Sequence, residues 1–529
     1  MAPDDIEDIV AAAGDDGDAN VRRADVQASV VWKHRRRPGD DRADEVRLSP
    51  FLTRSQRVLV KTWGCSHNNS DGEYMQGQLA HAGYMLVDSV DEADLCVFNS
   101  CTVKDPSEMV FRNAIRQAQA AGKKVVLAGC VPQADQSNPV YKELSVIGVQ
   151  QIDRIVEVVE HTLQGNVVRI MSRQKSGGGS RLALPKIRRN RFIEILPINT
   201  GCLNNCTYCK TKHARGELSS YPPDEIVERA RQAIDEGVRE IWLSSEDTGA
   251  YGHDIGTSLP DMLWRVIDVL PDGVFLRIGM TNPPHIMSHL DQMCKILRHP
   301  RVYAFLHVPV QAGSTRVLDA MKRDYSVDDF RTLVDILRRQ VPDIQIATDV
   351  ICGFPTETDE EFGETVSLIR EYQFPAVHIS QFYARQGTPA ARMARVPSHV
   401  IKSRSRLISS VFASYETHAH KVGRVYRVLC TERAADDVHL VAHNKSYDQI
   451  LVPDDERLMG RCFRVRITEA HRFHMVGHVI SGSIEGRQRA PVRSYSVAAR
   501  VVIAFLVFGI AAVLRLLRYD VVPLPFPSV

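Results

Sequence analysis

The chain has 529 residues, of which 44% are hydrophobic and 25% are charged. This length is sufficient to bury the cores of about three domains. The formal net charge of +2 excludes a polycationic protein, so any surface that binds nucleic acid has to be local. The 11 cysteines are unevenly spaced, which argues against a disulfide scaffold and favours reduced thiols facing the cytosol.

The first predicted folded segment follows a tail. Residues 1–54 mix acidic and basic clusters with weak apolar periodicity, which predicts disorder. Residues 55–165 alternate apolar runs with helical patterns, which predicts a doubly wound α/β domain. Its predicted strands are 57–61, 94–98 and 124–128, and its predicted helices are 72–82 and 106–121. A glycine- and serine-rich stretch predicts a flexible linker at 166–190.

A second β/α series occupies residues 191–420. Its six predicted strands, with crossover helices between them, favour a partial (β/α)6 barrel, although an open sheet has the same pattern. The six strands are 192–198, 240–245, 275–280, 303–308, 345–351 and 376–382. The overall fold class is therefore α/β.

The C-terminal part changes character. Residues 421–482 contain short β-rich segments, at 424–430, 437–442, 449–453 and 462–468, which predict a small β-barrel or a capping or dimerisation module. A basic linker (483–499), an apolar helix (500–519) and a tail (520–529) are predicted to follow. Val501 to Leu514 carry no charge and lie between Arg500 and Arg515, which can snorkel, and this favours a membrane anchor over a buried core helix.

Three cysteines lie within eight residues after the predicted strand at 192–198. We call Cys202, Cys206 and Cys209 the second cysteine set. A [4Fe–4S] cluster normally takes four thiolates, so three thiolates leave one iron open. An open iron can chelate the amino and carboxylate groups of S-adenosylmethionine (SAM), which indicates a radical SAM site. Zinc, with His213 nearby, is the alternative.

Three further cysteines each follow one strand of the first predicted domain. We call Cys65, Cys101 and Cys130 the first cysteine set. Residues just beyond the carboxyl ends of parallel strands share one crevice, so this set is expected to converge on a ligand. Gly64 and Gly129 precede two of these cysteines and suit a tight backbone around an inorganic group. Three buried structural cysteines are the alternative.

The remaining cysteines show no ligand spacing and are predicted to be structural. They are Cys96, which lies inside a predicted strand, and Cys294, Cys352, Cys430 and Cys462.

Several segments together resemble one family. The threonylcarbamoyladenosine tRNA methylthiotransferases of eukaryotes and archaea have similar motifs in the same order, and the resemblance runs from about residue 57 to 480. The segments that carry it are 62–65 (TWGC), 99–102 (NSCT), 128–130 (AGC), 201–216 (GCLNNCTYCKTKHARG), 245–249 (SEDTG), 277–283 (RIGMTNP) and 307–311 (HVPVQ).

The resemblance implies an enzyme that inserts sulfur into tRNA and methylates it. The expected substrate is N6-threonylcarbamoyladenosine at position 37, beside the anticodon, and the expected product is its 2-methylthio derivative. Each cysteine set would hold a [4Fe–4S] cluster, one SAM would supply the methyl group, and a second would supply a 5′-deoxyadenosyl radical. Residues 421–482 would form a TRAM domain that binds RNA. Residues 500–519 would anchor a monomer at the endoplasmic reticulum, with its catalytic domains facing the cytosol.

Individual contacts follow less directly from the sequence. Arg215 is predicted to meet the SAM carboxylate or an RNA phosphate. The predicted cofactor-binding residues are Tyr208, Glu246, Asp247, Gln311 and Asp349. The alternative role for Tyr208 is to fill the core. The alternative role for Glu246 and Asp247 is to cap the segment that follows them. The predicted phosphate contacts are Arg188, Arg189, Arg191, Lys210 and Lys212.

The same motifs leave three other functions open. They are methylthiolation of isopentenyladenosine in tRNA, methylthiolation of a ribosomal protein, and a non-catalytic iron–sulfur scaffold that binds RNA. The sequence does not indicate the sulfur donor or the electron donor.

Overall fold

The structure, a computed structural model, describes residues 55–102, 105–136, 138–171 and 181–486. The predicted N-terminal tail, most of the basic linker, the apolar helix at 500–519 and the last ten residues lie outside these ranges. None of the helices within them has the length and apolar character needed to span a bilayer.

Six parallel strands form the sheet of the N-terminal domain, in the order β2-β1-β3-β4-β5-β6. Its strands are β1 (Arg57–Thr62), β2 (Met85–Val87), β3 (Leu95–Ser100), β4 (Lys124–Gly129), β5 (Ser145–Ile147) and β6 (Arg169–Ile170). Its helices are α1 (Ser66–His81), α2 (Asp105–Ala120), α3 (Cys130–Ala134) and α4 (Ile155–Leu163).

The three predicted strands and both predicted helices of this domain are confirmed. Helices α1 and α4 contribute to the hydrophobic cluster on one face of the sheet and α2 contributes to the cluster on the other face, so the sheet is covered on both sides. Strands β2, β5 and β6 have only two or three residues, too few to give a period-two pattern. Strand β6 lies within the segment predicted as a linker.

Helix α1 begins at Ser66, six residues before the predicted start at 72. The added turns carry buried polar side chains, including His67, Asn68 and Asp71, instead of an apolar stripe. Helix prediction relies on apolar periodicity, which these turns lack. Their partners lie in the next domain, where Ser70 Oγ donates to the carbonyl of Ile195 over 3.1 Å.

The central domain contains all six predicted strands. They are β7 (Ile193–Pro197), β10 (Glu240–Ser244), β11 (Phe275–Arg277), β12 (Phe305–His307), β13 (Gln345–Cys352) and β14 (Ala376–Gln381), and a two-stranded hairpin adds β8 (Asn199–Thr200) and β9 (Ser219–Ser220). The helices are α5 (Thr211–Arg215), α6 (Pro223–Asp235), α7 (Leu259–Val269), α8 (Pro283–Met287), α9 (Leu290–Arg298), α10 (Thr315–Ala320), α11 (Val327–Gln340), α12 (Asp359–Tyr372) and α13 (Ser398–Ala413).

These strands form a partial barrel. Two parallel three-stranded sheets, β7-β10-β11 and β12-β13-β14, are joined by a parallel bridge between Leu276 and Val302. Residues from all six strands meet in a single buried cluster, which requires the sheet to curve around its inner face. The α/β fold class is therefore confirmed.

Five strands close the C-terminal β-barrel. They are β15 (Val425–Arg433), β16 (His439–His443), β17 (Gln449–Pro453), β18 (Cys462–Ala470) and β19 (Met475–Val479), in the closed order β15-β16-β17-β19-β18. The four predicted β-rich segments are confirmed. Strand β19 was not expected, because Gly477 and His478 interrupt its apolar pattern.

The small barrel caps the amino-terminal end of the central barrel. Tyr447 enters the barrel interior and packs edge-on against Tyr303 at a centroid distance of 4.8 Å. The carboxylate of the fully buried Glu240 accepts hydrogen bonds from Trp242 Nε1 and Tyr303 Oη, each at 2.8 Å, and from Thr431 Oγ1 of the small barrel. Because this end is plugged, the carboxyl ends of the strands are left for chemistry.

Buried ion pairs hold residues 181–190 against the barrel. Glu194 is fully buried and accepts hydrogen bonds from Lys186 at 3.0 Å, Arg188 at 2.5 Å and Arg229 at 3.0 Å. The surrounding cations hold the pKa of the Glu194 carboxyl well below its usual range, despite burial. The prediction that Arg188 contacts phosphate is therefore wrong, because this side chain is engaged inside the fold.

We expect Glu194→Gln to lower the free energy of unfolding by about 3–5 kcal/mol at neutral pH, because three buried cations lose their shared charge partner. The depressed pKa of Glu194 gives stability that is complete above the ordinary glutamate pKa of about 4.3 and declines as the pH falls below it. Denaturant unfolding at several pH values measures both effects.

Glu236→Gln is the matched control. Glu236 pairs with Arg188 at 2.5 Å, but its side chain is 39% exposed, so its loss should cost less than about 1 kcal/mol. Equal destabilisation by the two substitutions would contradict this description of the network.

Candidate active site at the domain junction

The first cysteine set lies at the carboxyl ends of three neighbouring strands. Cys65 precedes α1, Cys101 follows β3, and Cys130 begins α3 directly after β4. Strands β1, β3 and β4 are adjacent in the sheet. The Cys65 and Cys101 thiols form a hydrogen bond, and the Cys130 thiol donates to Asn68 Oδ1 over 3.6 Å. Thiols that lie up to 65 positions apart in the sequence thus meet in one crevice.

The backbone at two glycines lies very close to the first cysteine set. A Cβ on Gly64 would lie 2.1 Å from Cys101 Cβ, and a Cβ on Gly129 would lie 2.3 Å from the carbonyl oxygen of Ser100. Both glycines have positive φ, at 110° and 88°. Burial raises the pKa of the Cys130 thiol to about 12, and the hydrogen bond with Cys101 is the main reason that the pKa of Cys65 is raised. Thiols of this kind become thiolates when they bind a metal.

The second cysteine set lies on the loop between β8 and α5, which follows β7. Cys202 N–H donates to the carbonyl of Gly216 over 3.2 Å, which closes the loop on itself. Thr207 fixes the loop to the barrel by donating from its N–H to the carbonyl of Met321 over 2.9 Å. Thr211 N–H points at Cys209 Sγ over 3.4 Å. Hydrogen bonds of this kind to sulfur are typical of thiolates that ligate iron–sulfur clusters.

Charged and polar side chains surround the second cysteine set. Arg323 Nη1 lies 3.3 Å from Cys206 Sγ, and the same guanidinium donates to Asn282 Oδ1. Asn282 Nδ2 in turn donates to Asp247 Oδ2 over 2.7 Å. Burial raises the pKa of the Cys202 thiol to about 12. The loop therefore carries three thiols, with a fixed positive charge beside one of them.

A buried arginine joins the two cysteine sets. Arg215 is 2% exposed and donates to Asn68 Oδ1 at 2.6 Å and Asp71 Oδ2 at 2.9 Å, both on α1 of the N-terminal domain. Its Nε lies 2.9 Å from Glu246 Oε1 of the barrel. The prediction that Arg215 contacts SAM or RNA is therefore wrong. Of the two predicted acids, Glu246 lies in this junction.

The other predicted cofactor-binding residues line the barrel. The ring of Tyr208 packs edge-on against Phe354 at 6.4 Å, so the core-filling contact exists. Gln311 has a φ of 70°, and its N–H donates to the carbonyl of Asp349 over 2.8 Å. Residues other than glycine rarely adopt this backbone conformation, and those that do often occur at functional sites. Their roles in cofactor binding remain predictions.

One compact group of ligand-type side chains occurs in the described residues. His307, Asp349 and His378 place one ligand atom each within 4.8 Å of one another, with His307 Nε2 only 2.7 Å from Asp349 Oδ1. These residues come from the adjacent strands β12, β13 and β14. His213, the zinc ligand considered from the sequence, is exposed and is not part of this group.

Sequence reasoning missed several residues of this site. Asn68, Asp71 and Arg323 carry most of its hydrogen bonds, yet none stands in a recognisable ligand spacing. One available signal was the polar run at 66–71, which interrupts an otherwise apolar α/β pattern immediately after a candidate ligand.

Three family models match the chain, one for each domain. Residues 57–148 match Uncharacterized protein family UPF0004, residues 196–369 match the Radical SAM superfamily, and residues 419–480 match the TRAM domain. The match to the Radical SAM superfamily includes the second cysteine set. A radical SAM domain uses a [4Fe–4S] cluster and SAM, which the three thiols of that set fit.

Relatives match across all three domains. The human threonylcarbamoyladenosine tRNA methylthiotransferase is 55% identical over 90% of this chain and 83% of its own length. Proteins with the same name from Xenopus laevis and Drosophila melanogaster are 54% and 53% identical, over 91% and 88% of this chain and 87% and 86% of their own lengths. The chain belongs to the threonylcarbamoyladenosine tRNA methylthiotransferase family. The family indicated by the sequence motifs is thus confirmed.

A match among solved structures is far more distant. It is the radical S-adenosylmethionine methyltransferase TsrM from Kitasatospora setae, with a TM-score of 0.46 and 14% identity over 62% of this chain and 73% of that chain.

We expect Gly64→Ala to lower the iron bound by the first cysteine set, because the added Cβ displaces Cys101 and the position has a positive φ. The iron content measured after anaerobic reconstitution should fall from about eight to about four atoms per chain. Gly122→Ala is the matched control, since Gly122 also has a positive φ of 68° but no atom within 4 Å of the added Cβ. Equal iron content in the two variants would contradict this geometry.

Proposed function

We propose that this enzyme converts N6-threonylcarbamoyladenosine at position 37 of tRNA to its 2-methylthio derivative with two [4Fe–4S] clusters and SAM. The observation that carries the proposal is the pair of cysteine sets, the first at the carboxyl ends of three parallel strands and the second on the loop between β8 and α5 that leads to Arg215. Names of relatives 53–55% identical to the chain support the same substrate. Of these features, the second cluster and the modified position lie beyond what family membership alone establishes.

The two cysteine sets have separate tasks in this proposal. Cys202, Cys206 and Cys209 would hold the cluster that supplies reductive SAM cleavage, and Cys65, Cys101 and Cys130 would hold the cluster that supplies sulfur for the adenine C2 position. The chain's own contribution is placement and a dry environment. Cys101 and Cys130 are 2% and 3% exposed, so two of the three thiols of the first set are shielded from bulk water, and Cys65 is half-buried.

The C2–H of adenine is neither acidic nor nucleophilic, so general acid–base catalysis by side chains does not activate it. This explains why the site offers thiols and fixed charges instead of an activated nucleophile. The base lies in a single-stranded loop of tRNA, and presenting it there costs less than extruding it from a duplex.

RNA contacts in this proposal come from the small C-terminal barrel and from local basic residues. Arg189 and Arg191 are exposed just before β7, and Lys210 and Lys212 directly follow the second cysteine set. Contacts of these side chains with phosphate would make tRNA affinity fall with salt. A monomer is sufficient, because both cysteine sets come from one chain.

The proposal includes a membrane anchor at residues 500–519, which holds the enzyme at the endoplasmic reticulum with its catalytic domains facing the cytosol. It rests on the 14 uncharged residues from Val501 to Leu514 and on the arginines that precede them.

Replacing all three cysteines of the first set by alanine is expected to abolish the 2-methylthio nucleoside, because no sulfur can be presented. Release of 5′-deoxyadenosine should persist, since the second set is intact, and bound iron should fall from about eight to about four atoms per chain. Iron analysis, SAM cleavage and a nucleoside digest of the incubated tRNA measure the three quantities.

Cys96→Ala is the control for this experiment. Cys96 is fully buried near the amino end of β3, whereas the first set lies beyond the carboxyl ends of the strands, so this variant should keep both clusters. Product formation by the triple variant, or equal iron loss in the control, would show that the first set is not a cluster site. Unchanged 2-methylthio-threonylcarbamoyladenosine in cells lacking the protein would refute the substrate.

For the anchor, we expect the full chain to sediment with membranes after an alkaline wash and a chain ending at residue 486 to stay in the supernatant. Val507→Arg with Phe508→Arg in the full chain is the matched test, because two charges in the apolar run cost several kcal/mol of insertion free energy. Recovery of both altered proteins in the membrane fraction would rule out this anchor.

A further inference from the structure

A fixed positive charge lies inside the junction between the two cysteine sets. Arg215 is 2% exposed, and a guanidinium does not lose its proton in proteins. Three oxygens of Asn68, Asp71 and Glu246 hold it at 2.6–2.9 Å. The cost of burying this charge is offset by two carboxylates from two different domains. Such a group cannot turn toward solvent or substrate without breaking both contacts.

The charge acts on the thiols of the first cysteine set. Asn68 Oδ1 accepts hydrogen bonds from both Arg215 Nη2 and Cys130 Sγ, so the guanidinium and the sulfur share one acceptor atom. Interactions between charges are strong here because the site excludes water.

The position of Arg215 follows from the second cysteine set. Helix α5, which ends at Arg215, begins two residues after Cys209, and the next residue, Gly216, accepts the hydrogen bond from Cys202 N–H. Ala214 of the same helix packs against Cys130. One segment of 15 residues, Cys202–Gly216, therefore contains the second cysteine set and also places the guanidinium of Arg215 beside the first set.

We propose that Arg215 is a positioning residue that holds the cluster of the first cysteine set against the barrel and raises the reduction potential of that cluster. This inference rests on the proposed function, because it requires a cluster at the first set. A positive charge stabilises the reduced, more negative form of a nearby cluster. The two carboxylate partners, Asp71 and Glu246, act in the opposite direction.

A purely structural role would give a different result. A guanidinium that only docks the two domains would affect stability and cluster assembly, but not the potential of the clusters that do assemble. The potential is therefore the quantity that separates the two explanations.

The test uses the full-length chain with the second cysteine set replaced by alanine, so that only the first set binds iron. A redox titration followed by electron paramagnetic resonance gives the potential of the reconstituted cluster. We expect Arg215→Met to shift it to more negative values and Arg215→Lys, which keeps the charge, to shift it less. Arg229→Met is the matched control, because Arg229 is equally buried but pairs with Glu194, away from the thiols.

Asp71→Asn keeps the experiment decisive if Arg215→Met assembles no cluster. It removes a negative charge with little change of shape, and we expect a shift to more positive potential. An unchanged potential in Arg215→Met, or in Asp71→Asn where the first variant does not assemble, would overturn the inference. Equal shifts for the methionine and lysine variants would do the same.

The parent chain distinguishes failure of this inference from failure of the proposed function. If the chain without the second cysteine set binds no iron, the first set is not a cluster site and the two-cluster proposal itself fails. If that chain binds about four irons but the reduction potential of its cluster is unchanged by substitution of Arg215, only the inference fails.

Discussion

The contact between Arg215 and its two carboxylate partners fixes how the N-terminal domain sits on the barrel. A buried guanidinium must be matched by nearby acceptors, and here they come from α1 on one side and from the loop after β10 on the other. The polar first turns of α1 supply Asn68 and Asp71, which accept hydrogen bonds from Arg215. Because α1 starts directly after Cys65 and α5 ends at Arg215, the same contact sets the relation between the two cysteine sets.

The opposite end of the barrel is governed by a second buried group. Glu240 is fully buried and fully hydrogen-bonded by aromatic side chains of the barrel and by Thr431 of the small C-terminal barrel. Tyr447 fills the space beside it. The TRAM domain therefore serves the fold as a plug, and the alternative of a capping module, considered from its sequence, describes part of its role. Chemistry is confined to the carboxyl ends of the strands.

The strands and the thiols could be predicted from sequence because they depend on local rules. Apolar runs of five to eight residues predict buried parallel strands, and residues after such strands converge at one sheet edge. Arg215 and Arg188 could not be placed in this way. Both were predicted to contact a ligand, but Arg215 pairs with Asp71, 144 positions away, and Arg188 pairs with Glu194 and Glu236, and only the folded chain brings these groups together. Short strands such as β6 were missed because two residues are too few to show the alternating apolar pattern of a strand.

The most direct test of this account is an iron anomalous-difference map from crystals of the reconstituted enzyme. The account predicts two iron clusters per chain, one bound by Cys65, Cys101 and Cys130 and one bound by Cys202, Cys206 and Cys209, with Arg215 between the two domains that hold them. A single cluster at the second cysteine set, with free thiols at the first, would contradict it.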